Sequence, residues 1–200
     1  MYHPKTKILD FDIEFRPMSY MGGDFTTGEV TAIAWSWTSQ RKVEVEYMTA
    51  ADMVTQEAWV DAYQRMLYAF VDAYNQADIV TGHYIRMFDL PKINAACFEV
   101  GMYPLAPKMV SDTKVDLVKL SGISKSQENL GATLSYFDDN QYLSNKEHMS
   151  QVDWRWANRL TAEGVAETVR RVKGDVKQHK ALRLALLNAK VLKGPKVWRP

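Results

Sequence analysis

The chain has 200 residues, 46% of them hydrophobic, with 25 Lys and Arg against 24 Asp and Glu. That suits one domain with a proper core; no apolar run reaches membrane-spanning length and no signal-peptide core follows the N-terminus, so a soluble cytoplasmic protein is expected. The one cysteine, Cys97, excludes an internal disulfide and a cysteine zinc site, and its apolar helical surroundings read as those of a buried thiol.

In chain order, Lys7 to Phe15 reads as a buried strand with Asp10, Asp12 and Glu14 on one side, because side chains alternate faces along a strand. Three carboxylates on one face repel one another, and burying them unpaired is costly. A hard divalent cation such as magnesium would relieve both problems. A half-exposed edge strand with solvated acids would also explain them.

After a loop around Gly22, Gly23 and Gly28, Val30 to Trp37 alternates as a second strand and Val43 to Tyr47 as a third. The three make an antiparallel meander, the third at an edge. From Thr55 to about Asn75 the period becomes helical, with Trp59, Tyr63, Met66, Phe70 and Tyr74 in one stripe that reads as core. Ala77 to Thr81 is a short strand ended by Gly82, and a helix follows from about Asp89 to Val100 with Pro91 in its first turn. Met109-Val110 is a fifth strand, leading through Asp112-Thr113 into a short helix.

Residues 127–134 read as helix, 135–151 as a polar loop and 152–156 as another short helix. A long helix spans about 161–192, capped by Thr161, with Val165, Val169, Val172 and Val176 on one face and a bend expected at Gly174. The order β-β-β-α-β-α-β followed by helices predicts an α/β fold: one five-stranded mixed sheet flanked by helices.

Charge is unevenly placed. Residues 170–200 carry ten basic groups and one acid, Asp175, so this end has a net charge of +9 and residues 1–169 a net charge of −8. A basic end on an acidic body suits an anionic polymer; solvation of a long helix explains it equally. Taken singly, Asp89 reads as a helix cap and Asp175 as a salt-bridge partner.

Taken together, a strand bearing Asp-x-Glu, then Gly82-His-x-x-x-x-Phe-Asp-Leu-Pro91, then a helix with Asp175-Val176 resembles the DEDD superfamily. These are 3′-to-5′ exonucleases of RNase H-like fold, including polymerase proofreading domains and RNase D-like enzymes. The similarity runs over roughly 7–190, and the layout is most similar to small stand-alone members, including those of phages. It implies a single RNase H-like domain over 1–193 with a C-terminal tail at 194–200. It also implies four metal-binding, catalytic carboxylates: Asp12, Glu14, Asp89 and Asp175. They would hold two divalent ions, Mg²⁺ or Mn²⁺, for phosphodiester hydrolysis, with Asp12 bridging the pair. Asp10 matches no ligand of the family.

The implied partner is a nucleic acid with a free 3′ end, expected to be single-stranded DNA, with RNA as the substrate alternative and no membrane involved. A nucleic-acid-binding module without catalysis is the other reading. Two departures stand out: Tyr84 occupies a position that is Asn in many relatives, and Arg171 and Arg170 stand where the family carries Tyr or His. Arg171, Arg170 and His83 are the residues expected to meet substrate, with Lys173 and Lys177 near phosphates. His83, His148 and His179 are candidates to orient the attacking water, though an ordinary structural or surface role is the simpler reading of each.

Overall fold

A computed structural model of the chain describes residues 6–17, 28–121, 141–144 and 147–200. Six strands form one sheet: β1 (Ile8–Pro17), β2 (Gly28–Trp37), β3 (Glu44–Tyr47), β4 (Ile79–Gly82), β5 (Lys108–Asp112) and β6 (Lys196–Trp198). Among the described residues six α-helices accompany them: α1 (Gln56–Gln76), α2 (Asp89–Glu99), α3 (Thr113–Ser121), α4 (Gln141–Ser144), α5 (Gln151–Asn158) and α6 (Ala162–Asn188). The helix expected over 127–134 lies outside the described residues.

The strand order is β3-β2-β1-β4-β5-β6. β1 pairs antiparallel with β2 and parallel with β4, and β5 pairs parallel with β4. The acid-bearing strand is therefore central, which rules out the solvated edge-strand reading of its carboxylates. β3 is an edge, as its strict alternation predicts.

The sheet has six strands, not the expected five. Lys196–Trp198 pairs antiparallel with β5, and the Arg86 guanidinium donates to the carbonyls of Lys196 and Val197 at 3.2 and 2.8 Å. Trp198 is buried against the main core. Three residues after Gly194-Pro195 are too short for periodicity to reveal.

The two faces of the sheet differ. Leu9, Phe11 and Ile13 of β1 and Ile33 and Trp35 of β2 pack with Tyr63, Met66, Phe70 and Tyr74 of α1 and with Leu90 and Ile93 of α2. The aromatic stripe is core, with Trp59 half-buried at its outer end. On the opposite face, Asp10, Asp12 and Glu14 stand across from Ser36, Ala34 and Ala32. The two alanines pack against Val172 and Val176, so small residues on β2 let α6 lie close over the acids. A register shift between Glu14 and Phe15 ends this arrangement, and Thr31 Oγ1 donates there to the Glu14 carbonyl at 3.3 Å.

Helix starts follow their capping chemistry. Thr55, Ser150 and Thr161 accept from the N–H groups of Ala58, Asp153 and Gly164, and Asp153 closes a reciprocal box with Ser150. α6 continues through Gly174, where a bend is expected from sequence. The glycine permits a close approach: a Cβ there would lie 2.5 Å from Glu147 Cγ. At Gly164 a Cβ would lie 2.2 Å from the Trp156 carbonyl carbon, which is how α5 comes to lie directly on α6. The stretch read as a polar loop contains the short α4. Among the described residues, no helix is long and apolar enough to cross a membrane.

Candidate functional site

α6 crosses β1 in the opposite sense. Alternate residues of a strand are about 6.8 Å apart, and one turn of four residues advances a helix about 6 Å. The two spacings nearly match, so the acids of β1 meet successive turns of α6. Glu14 meets Arg171, Asp10 meets His179 and Arg183, and Asp175 falls between.

Asp12, Glu14 and Asp175 each offer a carboxylate oxygen, and these oxygens lie within 4.8 Å of one another. Asp175 and Glu14 are buried and Asp12 is half-buried. An all-oxygen donor set of this size and charge fits a hard divalent cation. Asp10, although on the same face, is not part of it. Its carboxylate takes two hydrogen bonds from Arg183, Nε at 2.8 Å and Nη2 at 2.9 Å, and one from Thr38 Oγ1 at 2.9 Å. Burial alone would raise its pKa, but the Arg183 charge and hydrogen bonds and the nearby His179 outweigh it and bring it down to about 2.

His179 is thereby accounted for. Its Nδ1 lies 3.2 Å from Asp10 Oδ1, the side chain is buried, and it is not part of the converging metal-ligand group. Sequence spacing placed it one turn from Asp175; the strand register takes that turn to Asp10.

Asp89 is the first residue of α2, with Phe88 in the capping position, and is 3% exposed. It is not one of the three converging carboxylates. Burial pushes its pKa up to about 7, helped by the charges of Asp112 and Glu14 and opposed by backbone hydrogen bonds at Asp89 and Ile13. Burial is the main cause and Glu14 a smaller one, and the capping position of the helix belongs to Phe88, not to Asp89.

Asp112, at the end of β5, organises the loop that delivers Asp89. Its carboxylate accepts from the backbone N–H of Tyr84 at 3.0 Å, Arg86 at 3.0 Å and Val115 at 3.2 Å. Tyr84 is held at φ = 78°, the left-handed region. Sequence reading singled out Asp112 only as part of a connecting segment; a role exerted through backbone amides leaves no side-chain pattern. His83 lies in the same loop, with Nδ1 2.9 Å from Thr113 Oγ1.

Arg171 points into the carboxylate group. Its Nε donates to Glu14 Oε1 at 2.8 Å, its Nη2 lies 3.6 Å from Asp175 Oδ2, and its Nη1 donates to the Glu147 carbonyl at 2.9 Å. The guanidinium carbon sits 5.1 Å from the centre of the Trp154 ring. Arg170 turns the other way, to Glu167 and the carboxylate of Glu147. With Lys173, Lys177 and Tyr142 it lines an open groove of about 500 Å³ on the outer side of α6.

No family model and no curated protein sequence matches the chain. The fold does have solved counterparts. One is the family B DNA polymerase of the hyperthermophilic archaeon Pyrobaculum calidifontis, with a TM-score of 0.67 at 17% identity. That match covers 96% of this chain and 26% of the polymerase, so the chain spans about a quarter of that protein's length. At this identity the likeness speaks for the fold: an α/β architecture with a six-stranded mixed sheet, consistent with the RNase H-like class.

Proposed function

We propose that the protein is a metal-dependent 3′-to-5′ exonuclease acting on a nucleic acid with a free 3′ end, with single-stranded DNA as its substrate. The observation that carries this reading is the convergence of Asp12, Glu14 and Asp175 within 4.8 Å, on the two elements the DEDD resemblance pairs. The resemblance includes polymerase proofreading domains, and the fold match to a DNA polymerase points the same way. Nuclease chemistry and divalent-metal binding are the parts that cluster and fold support together.

Asp12, Glu14 and Asp175, joined by Asp89, would hold the ions, Mg²⁺ or Mn²⁺. Bound there, they supply activation of the attacking water and charge stabilisation at the departing 3′-oxygen. The chain's own part is to fix the carboxylates on β1 and α6 and to gather phosphates. Lys173 and Lys177 line the groove along α6 and suit the backbone of a strand bound over that helix. Arg170, tied to Glu147 and Glu167, contributes less than its charge suggests.

A second reading, a binding module without catalysis, draws on Arg171. An arginine is a permanent cation and cannot act as a base for water, and it occupies the position where the resembled family carries Tyr or His. The experiment that separates the readings uses single-stranded DNA and RNA labelled at the 5′ end, incubated with Mg²⁺, Mn²⁺ or EDTA. A metal-dependent ladder shortening from the 3′ end of DNA supports the exonuclease. Binding of the strand without shortening in either metal supports the module.

A further inference from the structure

The guanidinium of Arg171 sits where a metal ion would place its charge. It donates to Glu14 at 2.8 Å and reaches Asp175 at 3.6 Å, so two of the three converging carboxylates share one internal cation. Among the described residues it also contacts a backbone carbonyl, that of Glu147 at 2.9 Å, and the face of Trp154. Neither contact neutralises the guanidinium charge. The side chain is 18% exposed, in contrast to the 1% of Arg183, which is sealed on Asp10 by two hydrogen bonds.

From this contrast we infer that Arg171 is a displaceable counter-ion. Divalent metal and the guanidinium compete for Glu14 and Asp175, and metal binding turns Arg171 outward on its Trp154 and Glu147 supports. There it becomes an anion site for the terminal phosphate of a nucleotide. The inference rests on the proposed metal site, although it does not require that the protein cut nucleic acid.

The charge bookkeeping favours an exchange. Three carboxylates within 4.8 Å need positive charge in every state. Arg171 supplies part of it to Glu14 and Asp175 without metal; a divalent ion carries twice the charge and binds carboxylate oxygen directly. Once the ion holds the carboxylate oxygens that the guanidinium used, Arg171 is released from them, and its charge and that of the ion together attract an anion. Two ligands are thereby coupled through one side chain: metal should promote phosphate binding, and phosphate should promote metal binding by the same factor.

The test is calorimetric titration of the EDTA-stripped full-length protein with Mn²⁺ alone, comparing wild type, Arg171→Met and Arg171→Lys. Loss of the competing charge-assisted hydrogen bond is expected to tighten Mn²⁺ binding about tenfold in Arg171→Met. Arg171→Lys, which keeps the charge, is expected to stay near wild type and guards against misfolding of the methionine variant. Thymidine monophosphate is then titrated with and without Mn²⁺. Wild type should bind it only with metal, and Arg171→Met should lose most of that binding. Equal or weaker Mn²⁺ binding by Arg171→Met overturns the inference, as does nucleotide binding by wild type that ignores the metal. Mn²⁺ binding that behaves as expected in a protein without nuclease activity would overturn the exonuclease and leave the exchange standing.

Discussion

Arg183 and Asp10, 173 positions apart, face each other through two hydrogen bonds of 2.8 and 2.9 Å with both side chains essentially buried. Thr38 bridges them: its Oγ1 donates to Asp10 and accepts from Arg183 Nη2 at 2.7 Å. One turn away, Lys180 donates to the Trp37 carbonyl at 2.7 Å and to the Gln40 carbonyl. This set of contacts fixes the sliding position of α6 over β1, and therefore where Asp175 stands relative to Asp12.

Removing one member of a buried pair strands the other's charge. Arg183→Met should destabilise the protein by about 3–5 kcal/mol. Arg183→Met combined with Asp10→Leu should recover most of that loss, since an apolar pair strands no charge. Urea denaturation of the single and double variants measures both.

Two buried acids should give opposite pH dependences. Asp10 is held at about 2 against an ordinary 3.8, so its contribution is present above pH 3.8 and is lost as pH falls toward 2. Asp89 is pushed up to about 7. The folded state then keeps a proton that the unfolded state has released, so between about pH 4 and 7 this group costs stability as pH rises. Unfolding in EDTA should show that decline, and Asp89→Asn should flatten it. Mn²⁺ should also reduce it, because a cation compensates the ionised carboxylate.

Tyr84 carries φ = 78° on an aromatic side chain, 39% exposed, that touches Lys114. Asn adopts that conformation more readily than Tyr. Tyr84→Asn should therefore stabilise the protein by roughly 0.5–1 kcal/mol, net of a weak surface cation–π contact. A shift of the thermal midpoint upward checks this, and Tyr84→Val should shift it downward.

Gln178 is 1% exposed on α6, and neither atom of its amide has a hydrogen-bond partner among the described residues. A buried amide so placed opposes folding. Gln178→Met, close in size, should be neutral or stabilising by about 1–2 kcal/mol, read by urea denaturation.

Period and residue type made much of this molecule legible in its sequence. The alternation in β1 placed Asp10, Asp12 and Glu14 on one face, and the helical stripe Tyr63, Met66, Phe70 and Tyr74 marked the core under α1. What one sequence does not display is partnership over long separation. That Asp10 belongs to Arg183, and that His179 serves Asp10, follows from the register of α6 on β1, which only packing decides. Asp112 works through backbone N–H groups and leaves no pattern. β6 is three residues long, and its place comes from Arg86 and β5.

The most direct measurement is the rate at which a 5′-labelled single strand is shortened in Mn²⁺ by wild type and by Asp12→Asn, with thermal stability recorded for both. Nucleotides should leave from the 3′ end in wild type. Asp12→Asn should slow this by about a thousandfold, with a thermal midpoint equal to or above that of wild type, because the variant relieves repulsion with Glu14 and Asp175. Equal rates in the two proteins, or no shortening by wild type in either metal, would contradict the assignment of these carboxylates to phosphodiester hydrolysis.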